Sequence, residues 1–413
     1  MSDTGFRSVC SEGHDVETPH QHDHLANPAI LPVRPYQPGK SSLAIQREFG
    51  LQEVVKLASN ENAAGPSPLG CKALEAVLHR IHLYPDDGGE DLKHALAQKH
   101  GAGAENIVLG HGATDILDII VRAFVCPADE IISAHPGFPW FQILGQLSGA
   151  KNVVVPLRDH RHDLAAMAER ITPRTKLVLI ANPNNPTGTF LKKAEIESFL
   201  RSVPRHVVVV LDEAYVDYVT VESSNALKFS HKPLIFVRTF SKISGLAGLR
   251  IGYAVAEKGL VNLLEKARQP FNTTALAHAA AKASLHDLHH LERSRKIVVQ
   301  GKRFLYGAFK RLRLDYVPTE ANFIFVDFHR DVKPVFQQLL ERGFIIRPAL
   351  ETCARITIGL PRQNAGLVRA LKEVLRGGGT YEKSRTRLRG LHPARRGAGA
   401  RGGLHLGGET RHR

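Results

Sequence analysis

The chain has 413 residues, enough at about 150 residues per domain for two or three domains and a large apolar core. Hydrophobic residues at 43% and charged residues at 23% fall in the soluble globular range, which excludes a fibrous or wholly disordered chain, and no apolar run reaches the roughly 18 residues a membrane-spanning helix needs. The net charge of +15 invites a nucleic-acid reading, but from Arg376 to Arg413 ten Lys or Arg stand against two Asp or Glu, so more than half of the excess lies in one terminal segment.

Residues 1–28 show almost no apolar periodicity and lack the basic start and apolar run of a secretory signal, so they read as a disordered extension of a cytoplasmic protein. His20, His22 and His24 are taken as incidental, and no metal is assigned. Cys10, Cys71, Cys126 and Cys353 are scattered without a C-x-x-C pair, which points to reduced thiols rather than a disulfide framework. Residues 29–61 read as an arm that belongs partly to a smaller domain.

From 62 to 295, strand-like apolar runs alternate with helix-length stretches. The runs are Ile107 to Leu109, Glu130 to Ser133, Val153 to Leu157, Leu177 to Ile180, Val207 to Leu211, Leu234 to Thr239 and Ile251 to Val255. They are apolar on both faces, and Thr114 to Phe124 spaces Ile116, Ile119, Ile120 and Ala123 as one helical face. The pattern predicts an α/β domain with a mostly parallel, seven-stranded sheet flanked by helices. Residues 296–375 predict a smaller α+β domain: a helix from Ile297 to Leu312, a strand from Ala321 to Asp327, a helix from Val332 to Arg342, and short runs Phe344 to Arg347 and Arg355 to Ile358. Residues 376–413 have no apolar face and read as a disordered basic tail, a passenger or sequence beyond the natural end rather than a tether for nucleic acid.

In open α/β sheets ligands bind beyond the carboxyl ends of the strands, so the loops there carry the chemistry. After Ile107 to Leu109, Gly110-His111-Gly112-Ala113-Thr114-Asp115 opens a helix whose free N–H groups and hydroxyl suit an anion, although any capped helix can have these letters. The next loops give Asn182-Pro183-Asn184-Asn185-Pro186-Thr187-Gly188, then Asp212-Glu213-Ala214-Tyr215, then Thr239-Phe240-Ser241-Lys242 with Arg250 behind. Each charge alone could be a solvated loop residue. Four strand ends delivering an anion seat, an amide, a carboxylate with a phenol, and a lysine among hydroxyls favour a single site.

With these segments the chain resembles the fold-type I pyridoxal-phosphate aminotransferases, and among them the histidinol-phosphate aminotransferases, over about Leu31 to Leu375. The resemblance is carried by Pro35-Tyr36-Gln37-Pro38-Gly39, the run from Lys56 to Pro68 (KLASNENAAGPSP), Tyr84-Pro85-Asp86, Ala181 to Gly188 (ANPNNPTG), Asp212 to Tyr218 (DEAYVDY), Arg238 to Tyr253 (RTFSKISGLAGLRIGY), Arg268 to Asn272 (RQPFN) and Ala354 to Gly359 (ARITIG). It implies pyridoxal 5'-phosphate linked to Lys242, which also moves the substrate proton as base and acid. It implies Asp212 on the pyridine nitrogen, Asn185 and Tyr215 on the ring oxygen, and Phe138 stacked on the ring. Arg250, Thr239, Ser241, Ala113 and Thr114 are implied to hold the phosphate. Tyr84 resembles a tyrosine that reaches the neighbouring subunit's phosphate, implying a homodimer. Tyr36, Arg347 and Arg355 match positions around the substrate anion.

The substrates this implies are histidinol phosphate and 2-oxoglutarate, giving imidazole-acetol phosphate and glutamate, and a pair of arginines suits both a phosphate and a carboxylate. Aromatic amino acid aminotransferases and phosphothreonine-type decarboxylases would share the cofactor constellation. Ala63 and Ala64 replace the family's Pro and a larger residue, which predicts a looser substrate mouth open to aromatic side chains. His111 replaces the more usual Asn, and Ala113-Thr114-Asp115 the commoner Ser-Asp-Glu. A cofactor-sensing DNA-binding regulator is disfavoured, because the segment before Leu31 is too short and polar for a helix-turn-helix module.

Overall fold

The Val, Ile and Leu runs pair into one sheet, and those at its interior are buried on both faces. The computed structural model describes residues 22–35, 40–221 and 233–389, with side chains up to residue 376. Strand β1 (Val55–Lys56) precedes β2 (Ile107–Gly110), β3 (Glu130–His135), β4 (Lys151–Pro156), β5 (Thr175–Ala181), β6 (Val208–Asp212), β7 (Leu234–Thr239) and β8 (Gly252–Ala256). The last seven make one sheet in the order β2-β8-β7-β6-β5-β3-β4. Strands β3 to β7 pair in parallel, while β8 is antiparallel to both β2 and β7. The mostly parallel seven-stranded sheet is present, with one reversed strand that apolar runs alone do not reveal.

Alternate side chains of the strands feed two cores. On β6, Val209 and Leu211 pack to one side with Leu109 and Val255, and Val208 and Val210 to the other with Ile116, Ile119 and Ile120 of the helix Ala113–Phe124. These three isoleucines are 0% exposed, and burial stabilises by about 2 kcal/mol for each.

Strands β9 (Asp315–Val317), β10 (Phe323–Asp327), β11 (Phe344–Ile345), β12 (Arg347–Pro348) and β13 (Cys353–Thr357) follow. A second, antiparallel sheet has the order β12-β13-β10-β9, and β1 pairs in parallel with β11. Its core joins Ile324, Val326 and Ile356 to Val298, Leu305, Phe309, Leu339, Leu367 and Leu371 from three helices. The arm packs here too: Leu57 enters this core, and Ile45 and Ala58 meet Leu340 and Ile345.

Two helix ends differ from expectation. The helix Leu288–Leu312 starts well ahead of Ile297 because Asp287 caps it, accepting the His290 N–H at 3.2 Å, so the boundary placed between 295 and 296 falls inside one continuous helix. The helix Pro361–Arg389 runs past Leu375, where the disordered tail was placed, and no proline stands between Pro361 and Pro393 to stop it. The readings of residues 1–21, of Tyr36 and of residues 390–413 lie outside the described residues.

Candidate active site

A cavity of about 500 Å³ opens at the carboxyl edge of the seven-stranded sheet. Strands β2, β3, β5, β6 and β7 end at it. The reversed strand β8 begins at it, which is how Arg250, just ahead of Gly252, reaches the same edge as Lys242. The cavity is lined by Ala113, Thr114, Phe138, Asn185, Asp212, Tyr215, Thr239, Ser241, Lys242, Arg250, Arg347 and Arg355. A larger groove of about 700 Å³ beside Arg158 and Arg161 has its cations already paired, with Asp163 and Glu195.

One end of the cavity is built for an anion. Arg250 reaches Thr114 Oγ1 through Nη2 at 3.3 Å and Ser241 Oγ through Nη1 at 3.4 Å, and Thr239 Oγ1 donates to Ser241 Oγ at 2.9 Å. The N-terminus of the helix Ala113–Phe124 points into the same corner. Gly112 makes the approach possible, since its φ is +81° and a Cβ there would sit 2.5 Å from Arg250 Nη2.

At the floor, Asp212 is 6% exposed and accepts the Ala214 N–H at 3.1 Å. Burial lifts its carboxyl to about 6, against the opposing pull of that hydrogen bond and of the Lys242 charge. A buried carboxylate of this kind calls for a cationic partner from whatever fills the cavity. Lys242 Nζ donates to the Ser59 carbonyl at 3.2 Å and lies 5.6 Å from the Tyr215 ring centroid. Burial, and then the Arg355 charge, lower its ammonium to about 8, so a reactive neutral amine is within reach near neutral pH.

At the far end stand the small sheet's arginines. Arg347 and Arg355 are register partners on β12 and β13, so both reach the cavity from one face. Arg355 donates to Asn185 Oδ1 at 2.6 Å and to the Ala58 carbonyl, and its guanidinium lies 5.5 Å from the Phe323 ring centroid.

The fit to a planar phosphorylated pyridine aldehyde is therefore threefold: a cradle for a phosphate at one end, a buried carboxylate for a ring nitrogen below, and a buried amine for an aldehyde beside it. The structure also brings in residues to which the sequence reading gave no role, namely Ser59, Asn60, Glu61, His135 and Gln142. The first three lie in the run from Lys56 to Pro68, so the signal was present without a function attached. Ala63 and Ala64 do not line the cavity; Ala64 N–H donates to Asn62 Oδ1 at 2.9 Å in a turn outside it. His111 is exposed, and its N–H caps onto Asp115 at 2.8 Å. Tyr84 does not line the cavity of its own chain: it is 82% exposed and stacks on Phe271 at 4.7 Å.

A profile of the aminotransferase class I and II family matches residues 52–371. The chain belongs to this aminotransferase family. A histidinol-phosphate aminotransferase of Moorella thermoacetica is 49% identical to it over 355 residues, covering 84% of this chain and 92% of that one. Histidinol-phosphate aminotransferase 1 of Nitrosococcus oceani is 44% identical over 358 residues, 85% of this chain and 97% of that one. Among solved structures, histidinol-phosphate aminotransferase from Sinorhizobium meliloti in complex with pyridoxal-5'-phosphate superposes with a TM-score of 0.79 at 29% identity, covering 85% of this chain and 98% of that one. The aminotransferase fold thus accounts for both sheets and for the cavity between their facing edges.

Proposed function

We propose that the protein is a pyridoxal-phosphate-dependent histidinol-phosphate aminotransferase, exchanging an amino group between histidinol phosphate and 2-oxoglutarate. The observation that carries this reading is the two-ended cavity: an anion cradle, a buried carboxylate and a buried lysine at one end, and the paired cations Arg347 and Arg355 at the other. Bound there, pyridoxal phosphate supplies an aldehyde that accepts an amino group and a conjugated ring that takes up the electron pair left by a departing α proton.

The chain's own residues then divide the work. Arg250, Thr114, Thr239, Ser241 and the Ala113 N–H would hold the phosphate, and Phe138 would cover one ring face. Asp212 would keep the ring nitrogen protonated, while Asn185 and Tyr215 would donate to the ring oxygen. Lys242 Nζ would take the substrate's α proton and return it on the far side of the transferred nitrogen, helped by the burial that favours its neutral form. Arg355, Arg347 and Tyr36 would face the substrate anion. A guanidinium pairs as well with a phosphate ester as with a carboxylate, so one pair of arginines serves both half-reactions.

We read the two sheets as the cores of a large, cofactor-holding domain and a smaller one. Tyr84 is held outward by its stack on Phe271, which suits a homodimer in which it reaches the partner's phosphate. Among the described residues no helix is long and apolar enough to cross a membrane, and the scattered cysteines suit a cytosolic enzyme.

Single half-reactions on the purified protein test the substrate. Histidinol phosphate, phenylalanine and phosphothreonine are added separately while the visible spectrum of the bound cofactor is followed, with Lys242→Ala as control. Fast conversion by histidinol phosphate alone is expected. Faster conversion by phenylalanine would move the assignment to aromatic amino acids, and a spectrum that does not depend on Lys242 would remove the enzyme reading.

A further inference from the structure

Asn60 is 1% exposed, sits in the left-handed region at φ +56°, and lines the cavity between the two sheets. An asparagine tolerates that backbone at modest cost, but here every polar group it carries is engaged. Its N–H donates to Thr357 Oγ1 at 3.0 Å, and its carbonyl accepts from Asn322 Nδ2 at 3.0 Å. Thr357 Oγ1 donates to Asn60 Oδ1 at 3.1 Å, and Asn60 Nδ2 donates to Tyr215 Oη at 2.9 Å.

The hydroxyl of Thr357 fixes one end of this run. It accepts the Asn60 N–H through one lone pair and gives its single proton to Oδ1, and with that bond in place the amide nitrogen faces Tyr215. A phenol that accepts a hydrogen bond becomes a stronger donor through its own O–H, because linked bonds polarise one another. Thr357 is two residues from Arg355 on β13, so both project from one face of the small sheet, whereas Tyr215 follows β6 of the large one.

We propose that Asn60 is a positioning residue that acts through Tyr215: its amide strengthens the phenol as a donor to the ring oxygen of the cofactor, and Thr357 on the small sheet sets the amide's orientation. The inference rests on the cofactor assignment above and adds a residue to the hydrogen-bond network behind Tyr215. It makes the donor strength of Tyr215 depend on how the small sheet is seated.

The test is a pH titration of the visible band of the holoenzyme, which reports the proton shared between the ring oxygen and the lysine-linked nitrogen. Asn60→Gly keeps the left-handed backbone and removes the amide. Weakening the donor raises the affinity for that proton, so the midpoint should rise by about half a pH unit, roughly a threefold change. Thr357→Val should shift it the same way, and Thr357→Ser should restore it. In a Tyr215→Phe background Asn60→Gly should move nothing further.

A fall in midpoint for Asn60→Gly would show that the amide oxygen, not the nitrogen, faces the phenol, and would overturn the proposal. So would an unchanged midpoint, or a shift that persists in the Tyr215→Phe background. A holoenzyme with no lysine-dependent band would remove the cofactor assignment itself, an outcome distinct from a band that fails to shift.

Discussion

Arg355 Nη1 donates to Asn185 Oδ1 at 2.6 Å, so a strand of the small sheet grips the loop that follows β5 of the large one. The same guanidinium faces the cavity where a substrate anion would lie. Replacing it with lysine keeps a charge but loses the planar fork and the grip on Asn185. Arg355→Lys should lower kcat/KM by about 100-fold for both the amino donor and the 2-oxo acid, since a hydrogen bond to a charged group contributes about 1.5–3 kcal/mol. Steady-state kinetics with both substrates checks this; a loss confined to one of them would assign the anion of the other to Arg347.

The lowered proton affinity of Lys242 predicts how the cofactor-free protein captures its cofactor. Only the neutral amine attacks an aldehyde, so the capture rate should climb with pH through a midpoint near 8. Arg355 is the largest charge disfavouring the ammonium form. Removing it in Arg355→Met should therefore move the midpoint upward. Stopped-flow absorbance between pH 6 and about 10 measures both, and an Arg355→Met midpoint below that of the parent would contradict the assigned cause.

Gly112 offers a test of the anion cradle that leaves every charged group in place. Its backbone is left-handed, and an added Cβ would meet both Arg250 Nη2 at 2.5 Å and the strain of φ +81°. Gly112→Ala should push Arg250 off the phosphate position and weaken cofactor retention by about tenfold or more, the equivalent of one charge-assisted hydrogen bond. Equilibrium dialysis against pyridoxal phosphate checks it, with Gly248→Ala as the control, because nothing lies within 4 Å of a Cβ there.

Behind the site, Glu213 and Arg238 form a buried ion pair, with Arg Nε and Nη2 at 2.9 and 2.5 Å from one carboxylate oxygen and side chains 0% and 6% exposed. They follow Asp212 on one strand end and precede Thr239 on the next, so they tie two cofactor-facing strands at the sheet's opposite face. Glu213→Gln should destabilise the fold by about 3–5 kcal/mol by removing the carboxylate that neutralises the buried guanidinium. Replacing both with methionine should recover most of that loss. Urea unfolding of the three proteins decides it; a Glu213→Gln variant as stable as the parent would mean that Asp217, whose charge also acts on Arg238, suffices to neutralise it.

Much of this was legible in the letters. The run from Leu234 to Thr239 is apolar because both its faces are buried, and strand β7 has the same bounds. The loops after such strands brought the lysine, the carboxylate, the amide and the cradle hydroxyls to one edge, because parallel strands must all end on the same side. What local pattern could not supply was pairing at a distance. Nothing near Ile251 signals that β8 is reversed, and β1 and β11 are two-residue strands joined across the whole chain. Asn60 and Thr357 meet 297 positions apart, so the role of Asn60 is invisible until the sheets are assembled. Ala63 and Ala64 likewise turn outside the cavity wall although Ser59, Asn60 and Glu61 just before them line it.

The groups proposed to hold the phosphate, ring nitrogen and aldehyde all hang from the seven-stranded sheet, whereas the two cations at the far end belong to a single antiparallel hairpin, β12–β13. Recognition and reaction thus come from two sheets that are tied together, since Arg355 grips Asn185 and lowers the proton affinity of Lys242 while Thr357 holds Asn60 against Tyr215. Exchange of that short hairpin would change the anion selected and also disturb the lysine and the ring-oxygen donors, so a new specificity has to keep Arg355 and Thr357 in place. The hairpin's register is the weak point of such an exchange. Strand β12 is only two residues long, and a slip of one position would turn Arg347 away from the cavity and leave a folded enzyme that no longer selects its substrate.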